Sequence, residues 1–249
     1  MKQLLFIPGF CMLILLSLTR CGKQTIVHST DTLIVKIHDT TAIHDTATRT
    51  LTVKPGPNDG QDCLVSNMPL YAAANLSGNP DITASEWTYY AQGYGEATTR
   101  TYIEFVALDG LPSNASIKSA KLSFYGLSSG FALPTGNSDY PGSPYGSLGN
   151  SCWLKRVLGN WNEDSITWNN MPPTTDSNRV SVPASTSQWN YNTVVDVTPL
   201  VQDIVNTGRN YGFCLQLQTE QIYRGLNFAG SRNADSTRWP KLEVTYSVH

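Results

Sequence analysis

In residues 99–106 the side chains alternate. Thr101, Ile103 and Phe105 fall on one side of an extended backbone, and Arg100, Tyr102 and Glu104 on the other. A period of two is the mark of a strand with one buried face. Residues 117–125 repeat it, with Ala120, Leu122 and Phe124 inward and Lys121, Ser123 and Tyr125 outward. Shorter β-prone runs stand at 62–65, 152–158, 193–197, 211–218, 223–229 and 241–248, separated by Gly, Pro, Ser and Asn clusters. Many short strands between turns pack as a sandwich. One segment has helical spacing instead: Leu200, Val201, Ile204 and Val205, with Thr198 as N-cap, Pro199 at the first helical position and Gly208 as stop. The expected fold class is an all-β sandwich with one short helix packed on it.

Residues 161–172 are the densest landmark. Trp161 and Trp168 are two of the six tryptophans, on either side of a polar turn. Residues 165–168 read as a short β-prone piece, and Pro172-Pro173 ends regular structure there. Each indole can bury a large apolar area while its N–H finds an acceptor, so both are read as anchors pinning a long loop, with direct ligand contact as the alternative. Residues 127–150 form a Gly/Pro/Ser/Tyr loop of a length that often marks function.

The N-terminus reads as targeting sequence. Lys2 precedes an apolar run at 4–18, too short to span a bilayer comfortably. Leu18-Thr19-Arg20-Cys21-Gly22 resembles a bacterial lipobox, with Arg20 where a small residue is usual. Residues 1–20 are therefore expected to be a signal peptide and Cys21 the lipidated residue. The protein would be exported and lipid-anchored to the cell envelope, at the outer membrane or cell surface. An ordinary secreted protein and an uncleaved signal anchor are the other two readings. Residues 21–57, with repeats such as His38-Asp39-Thr40 and His44-Asp45-Thr46, read as a flexible low-complexity spacer. The folded domain is placed at 58–249. His28, His38 and His44 lack the cysteines or carboxylates that would complete a metal site, so no metal is expected. Cys63, Cys152 and Cys214 are left in the domain, an odd number. Three buried thiols are favoured over a Cys152–Cys214 bridge.

Charged residues make up only 14% and the net charge is −2. With no Lys/Arg run, nucleic acid is not an expected partner. There is no phosphate loop and no serine-nucleophile motif, and no cofactor is expected. Glycoside hydrolysis needs two carboxylates across one bond. Glu163 and Asp164 are adjacent and face opposite ways in extended chain, which suits turn residues better. Glu86, Glu104 and Glu220 stand alone.

Four blocks, in order, resemble the DNRLRE domain, also grouped as carbohydrate-binding module family 96. They are Gly60-Gln61-Asp62-Cys63-Leu64-Val65; Trp161-Asn162-Glu163 with Thr167-Trp168-Asn169-Asn170-Met171-Pro172; Asp196-Val197-Thr198 through Leu200-Val201 to Asn210-Tyr211-Gly212-Phe213; and Pro240-Lys241-Leu242-Glu243-Val244-Thr245-Tyr246. The resemblance covers roughly 58–248. The family's naming motif is altered at Ser231-Arg232-Asn233-Ala234-Asp235, Cys63 replaces an alanine, and 127–150 looks like an insertion. The resemblance implies a jelly-roll β-sandwich that is usually non-catalytic, found in bacterial surface proteins, some binding acidic polysaccharides such as alginate. The expected function is a non-catalytic polysaccharide-binding module displayed on the cell surface. A structural adhesin or envelope assembly component is the first alternative, and a polysaccharide lyase or hydrolase the second.

Arginine forks suit carboxylates. Arg100, Arg224 and Arg232, flanked by Tyr102 and Tyr223, are therefore the expected shallow site for an acidic or highly hydroxylated glycan. The competing reading is that Arg232 and Arg238 pair with Asp235 and nearby acids to tie a loop.

Overall fold

The computed structural model describes residues 47–56, 59–146 and 148–248, and the backbone of three short N-terminal strands. These are β1 (Leu15–Leu16), β2 (Gln24–Ser29) and β3 (Thr32–Ile37), an antiparallel set in which Gln24 opposes Ile37 and Ser29 opposes Thr32. Residues 24–29 and 32–37, read in the sequence as part of a flexible spacer, are thus paired strands. Most of the signal peptide, Cys21 and the three spacer histidines' side chains lie outside the described residues.

The second unit, Asp45–His249, is a β-sandwich. Its strands are β4 (Thr48–Val53), β5 (Gln61–Ser66), β6 (Asp81–Thr88), β7 (Glu96–Glu104), β8 (Ala115–Phe124), β9 (Cys152–Val157), β10 (Thr174–Val182), β11 (Thr193–Asp196), β12 (Phe213–Leu217), β13 (Arg224–Ala229) and β14 (Lys241–Val248), with helix α1 at Thr198–Thr207. The larger antiparallel sheet runs β10-β9-β12-β7-β6-β13, with β5 also on β7; the smaller runs β11-β8-β14-β4. β7 therefore serves three partners. Its residues 96–99 pair with β6, and 101–103 with β12. Where β6 leaves the ladder, the Thr101 hydroxyl accepts from the Thr83 N–H (2.9 Å) and donates to its carbonyl (2.8 Å). One side chain thus satisfies backbone groups that the splitting sheet would orphan.

Several expectations change. The domain does not begin at 58: Thr48–Val53 is a strand opposite β14, with Leu51 and Val53 turned to the core. Two apolar residues in six were too few to mark it. β6 escapes the sequence pattern because it gives the main core just Ile82 and Ala84. Pro172-Pro173 is followed at once by β10, and residues 165–168 form turns, the Ser165 and Ile166 N–H groups both reaching the Asn162 carbonyl. The helix stripe is as read, with Leu200, Val201, Ile204 and Val205 buried and Gly208 left-handed at φ 61°. Its cap is not. Thr198 spends its hydroxyl on the Ala120 N–H, and Asp196 accepts from the Thr198 N–H instead. Hydrogen bonds from Lys121 first and Thr198 second pull the Asp196 carboxyl down to about 2.

The main core fills the space between the sheets, where Phe124 of the smaller stacks on Phe228 of the larger at 4.9 Å. A second, separate core lies on the outer face of the larger sheet: Cys63, Val65, Tyr102, Val157 and Cys214 beneath Trp161 and Ile166. Register decides the thiol question. Cys152 opposes Leu217 and Cys214 opposes Lys155, so the two cysteines point to opposite faces, and all three domain thiols are free and buried. Burial pushes the Cys63 and Cys214 thiols up to about 12. With few thiolates present, attack by alkylating reagents is slow. A chain that begins after Cys21 is expected to resist iodoacetamide when native and to gain three carbamidomethyl groups in urea without reductant. A mass increase of one group would restore the disulfide.

Candidate functional site

The five residues singled out in the sequence do not make one open surface. Register puts Arg224 opposite Glu86, and Glu86 opposite Thr98, so Arg224 shares a sheet face with Arg100 and Tyr102. Strand β6 separates the two arginines, however, and places Glu86 between them. Arg100 is bidentate to Glu220 (2.7 and 2.9 Å) and lies 5.0 Å over the Trp168 ring. Tyr102 is 1% exposed, donates its hydroxyl to the Pro172 carbonyl at 2.9 Å and sits edge-on to Trp161. It is core, and a ligand cannot reach it. Arg224 donates to Gln221 at 2.9 Å. Arg232 pairs with Glu163 at 2.5 Å, and Arg238 with Asp235 at 3.3 Å. The loop-tying reading therefore describes Arg232 and Arg238.

The tryptophan block is likewise structural. The Trp161 indole N–H donates to the Tyr211 carbonyl at 3.0 Å. Asn75 clamps the turn by donating to the carbonyls of Glu163 and Ile166 (2.6 and 2.9 Å). Gln61 accepts the Glu163 N–H at 2.9 Å. Burial raises the Glu163 carboxyl, with Arg232 opposing.

The opposite face of β5–β7–β6 carries an open cleft of about 600 Å³. Leu64, Ser66, Thr99 and Trp87 point into it, since their register partners all lie on that side. Three loops build its walls. Tyr71 comes from the segment after β5, Tyr89 and Gln92 from the β6–β7 hairpin, and Phe131 to Thr135 from the long 127–150 loop. Phe131 is 72% exposed, Tyr71 39%, and neighbouring Tyr90 66%. Large aromatics held open to water at the rim of a cleft ask for a partner. Trp87 also packs edge-on against Tyr145 (4.9 Å) and Tyr223 (5.7 Å), which stack on each other. Tyr223 stands at a positive φ of 64°, which non-glycine residues rarely adopt.

The long loop owes its position to the free edge of β13. Asn137 accepts the Asn227 N–H at 2.8 Å, and Ser138 exchanges bonds with both backbone groups of Gly225. These contacts cover an otherwise open sheet edge. Leu133 lies flat on Gly225, where a Cβ would meet it at 2.5 Å. Asp81 accepts the N–H groups of Phe131 and Ala132 (2.5 and 2.8 Å), so a buried carboxylate aims the rim aromatic. Burial raises this carboxyl, and the two amides counter it. Sequence reasoning missed the cleft by weighting arginine. Trp87-Thr88-Tyr89-Tyr90, three aromatics in four residues beside a turn, was the available signal.

The cleft lining holds no carboxylate, histidine, cysteine or lysine. Its side chains offer ring faces, hydroxyls and amides, groups that stack and hydrogen-bond. A β-sandwich with such a cleft has the make-up of a carbohydrate-binding module. Residues 70–246 match the profile of carbohydrate-binding module family 96, and the chain belongs to that family. Over 187 residues the chain is 27% identical to tRNA3(Ser)-specific nuclease WapA of Bacillus spizizenii and to tRNA nuclease WapA of Bacillus subtilis strain 168. The match takes in 73% of this chain but only 7% of the length of each relative.

Proposed function

We propose that the protein is a non-catalytic polysaccharide-binding module displayed on a bacterial cell envelope, with the aromatic cleft as its sugar-binding surface and a lipid on Cys21 as its anchor. Family membership supports the ligand class. The observation that carries the site is the set of rings, exposed Tyr71 and Phe131 with half-buried Trp87 and Tyr89, gathered from strand β6 and three loops around one cleft. A pyranose presents a face of C–H groups and a rim of hydroxyls. Aromatic faces suit the former and amides and hydroxyls the latter. The nuclease activity in the relatives' names is not carried over: the shared stretch is a small part of them, and this chain is mildly acidic.

In sedimentation with insoluble polysaccharides the chain is expected to co-pellet with at least one. The double variant Tyr71→Ala/Phe131→Ala should bind about 100-fold more weakly, about 10-fold for each of two anchors, with an unchanged unfolding midpoint. Unchanged binding would move the site elsewhere. For the anchor, a radiolabelled or clickable fatty acid should mark the wild type in cells and leave Cys21→Ser unmarked. Label retained by Cys21→Ser would remove the lipoprotein reading.

A further inference from the structure

We infer that the cleft selects an uncharged polysaccharide, recognised by ring stacking and neutral hydrogen bonds, and that the arginines of the opposite face take no part in binding. The inference rests on the cleft being the sugar site.

Three observations lead to it. First, every residue lining the cleft is neutral; its polar members are Ser, Thr, Asn, Gln and Tyr. A uronate carboxylate entering it would lose water and meet no cation, a costly exchange. Second, two carboxyls stand beside the lining residues. The Asp81 carboxylate stands behind Phe131 and Ala132, and Glu96 accepts from the Tyr90 hydroxyl at 3.3 Å. Both would repel an acidic chain. Third, the arginines are committed. Arg100 spends its fork on Glu220 and one face on Trp168, and Arg232 pairs with Glu163. Taking up a uronate would strand a carboxylate that now has a partner. Arg100 also lies across the sheet from the cleft, by register. In the cleft wall the Thr135 hydroxyl is buried without a hydrogen-bond partner, as are the Nε groups of Arg224 and Arg232 elsewhere; of the three only the hydroxyl lines the cleft.

Affinity electrophoresis of the full chain tests this. The gels would contain alginate, polygalacturonate, or one of four neutral polymers: a β-1,3-glucan, a xyloglucan, a galactan and a mannan. The expected result is retardation by at least one neutral polymer, equal at 50 and 500 mM NaCl. Affinity should fall about 10-fold in Phe131→Ala and stay within twofold in Arg224→Ala. Because Phe131 is mostly exposed, that variant keeps the fold; Trp87→Ala is the second probe, checked by its circular dichroism spectrum. Retardation by alginate or polygalacturonate that fades with salt and is lost in Arg224→Ala overturns the inference and leaves a carbohydrate-binding module with a charged site. Retardation by none of the six polymers overturns both the inference and the cleft as sugar site.

Discussion

Replacing Trp161 with alanine is expected to cost the domain about 3–5 kcal/mol, the range for deleting a buried large aromatic. The indole is 7% exposed and roofs the second core. Its ring meets Tyr102 edge-on at 5.8 Å, and its N–H is the partner of the Tyr211 carbonyl. Truncation opens a cavity over Tyr102 and Cys63 and frees a carbonyl at once. It also loosens the turn that Gln61 and Asn75 clamp. In urea the midpoint should fall sharply, and in a thermal scan the transition should drop by about 10 °C or more. Trp168→Ala should cost less, since that ring is only half-buried and covers the core from its edge. If Trp161→Ala unfolds within about 1 kcal/mol of wild type, the outer core is not a stabilising element. The cleft lies on the other sheet face, so sugar affinity of the folded fraction should be kept.

Gly212→Ala is the second large effect. Gly212 sits at φ +69°, where an L side chain costs about 1–2 kcal/mol. The greater penalty is space. An added Cβ would stand 2.1 Å from the Ile103 carbonyl oxygen and 2.8 Å from the Glu104 Cα, both backbone. Neither can turn aside as a side chain could, so β12 must draw away from β7. Forced overpacking adds about 1–3 kcal/mol, and the sum is about 3 kcal/mol or more. The Val157 N–H, which donates to the Gly212 carbonyl at 3.0 Å, would shift as well. Gly208→Ala is the control: it shares the left-handed backbone, at φ +61°, with nothing near its would-be Cβ. Its loss should be confined to the conformational part, about 1–2 kcal/mol. Equal losses in the two variants would show that crowding at Gly212 is absorbed by the sheet.

These two positions also show how far local sequence reaches. Gly212 and Trp161 belong to blocks whose order marked the family, and both mattered for reasons visible only in three dimensions: close approach to the backbone of Ile103, in another strand, for the glycine, and a second core for the tryptophan.

The alternation of 99–106 and 117–125 and the apolar spacing of α1 determined a good deal by themselves. A strand's period and a helix's stripe are local properties, so the sandwich, its inward residues and its one helix could be read directly. The strands at Thr48–Val53, Asp81–Thr88 and Thr174–Val182 could not. Their apolar content is low, and it is pairing with neighbours that makes them strands. The site was decided by the tertiary structure alone. Arg100 and Arg224 look available in the sequence, but Glu220, 120 residues along the chain, takes the first, Gln221 accepts from the second, and register sets Glu86 between them. Tyr71, Trp87 and Phe131 look like scattered loop aromatics, and only folding sets them around one cleft. Whether a side chain is spent on its own protein or left for a ligand depends on contacts between distant segments. No local pattern in a single chain encodes them.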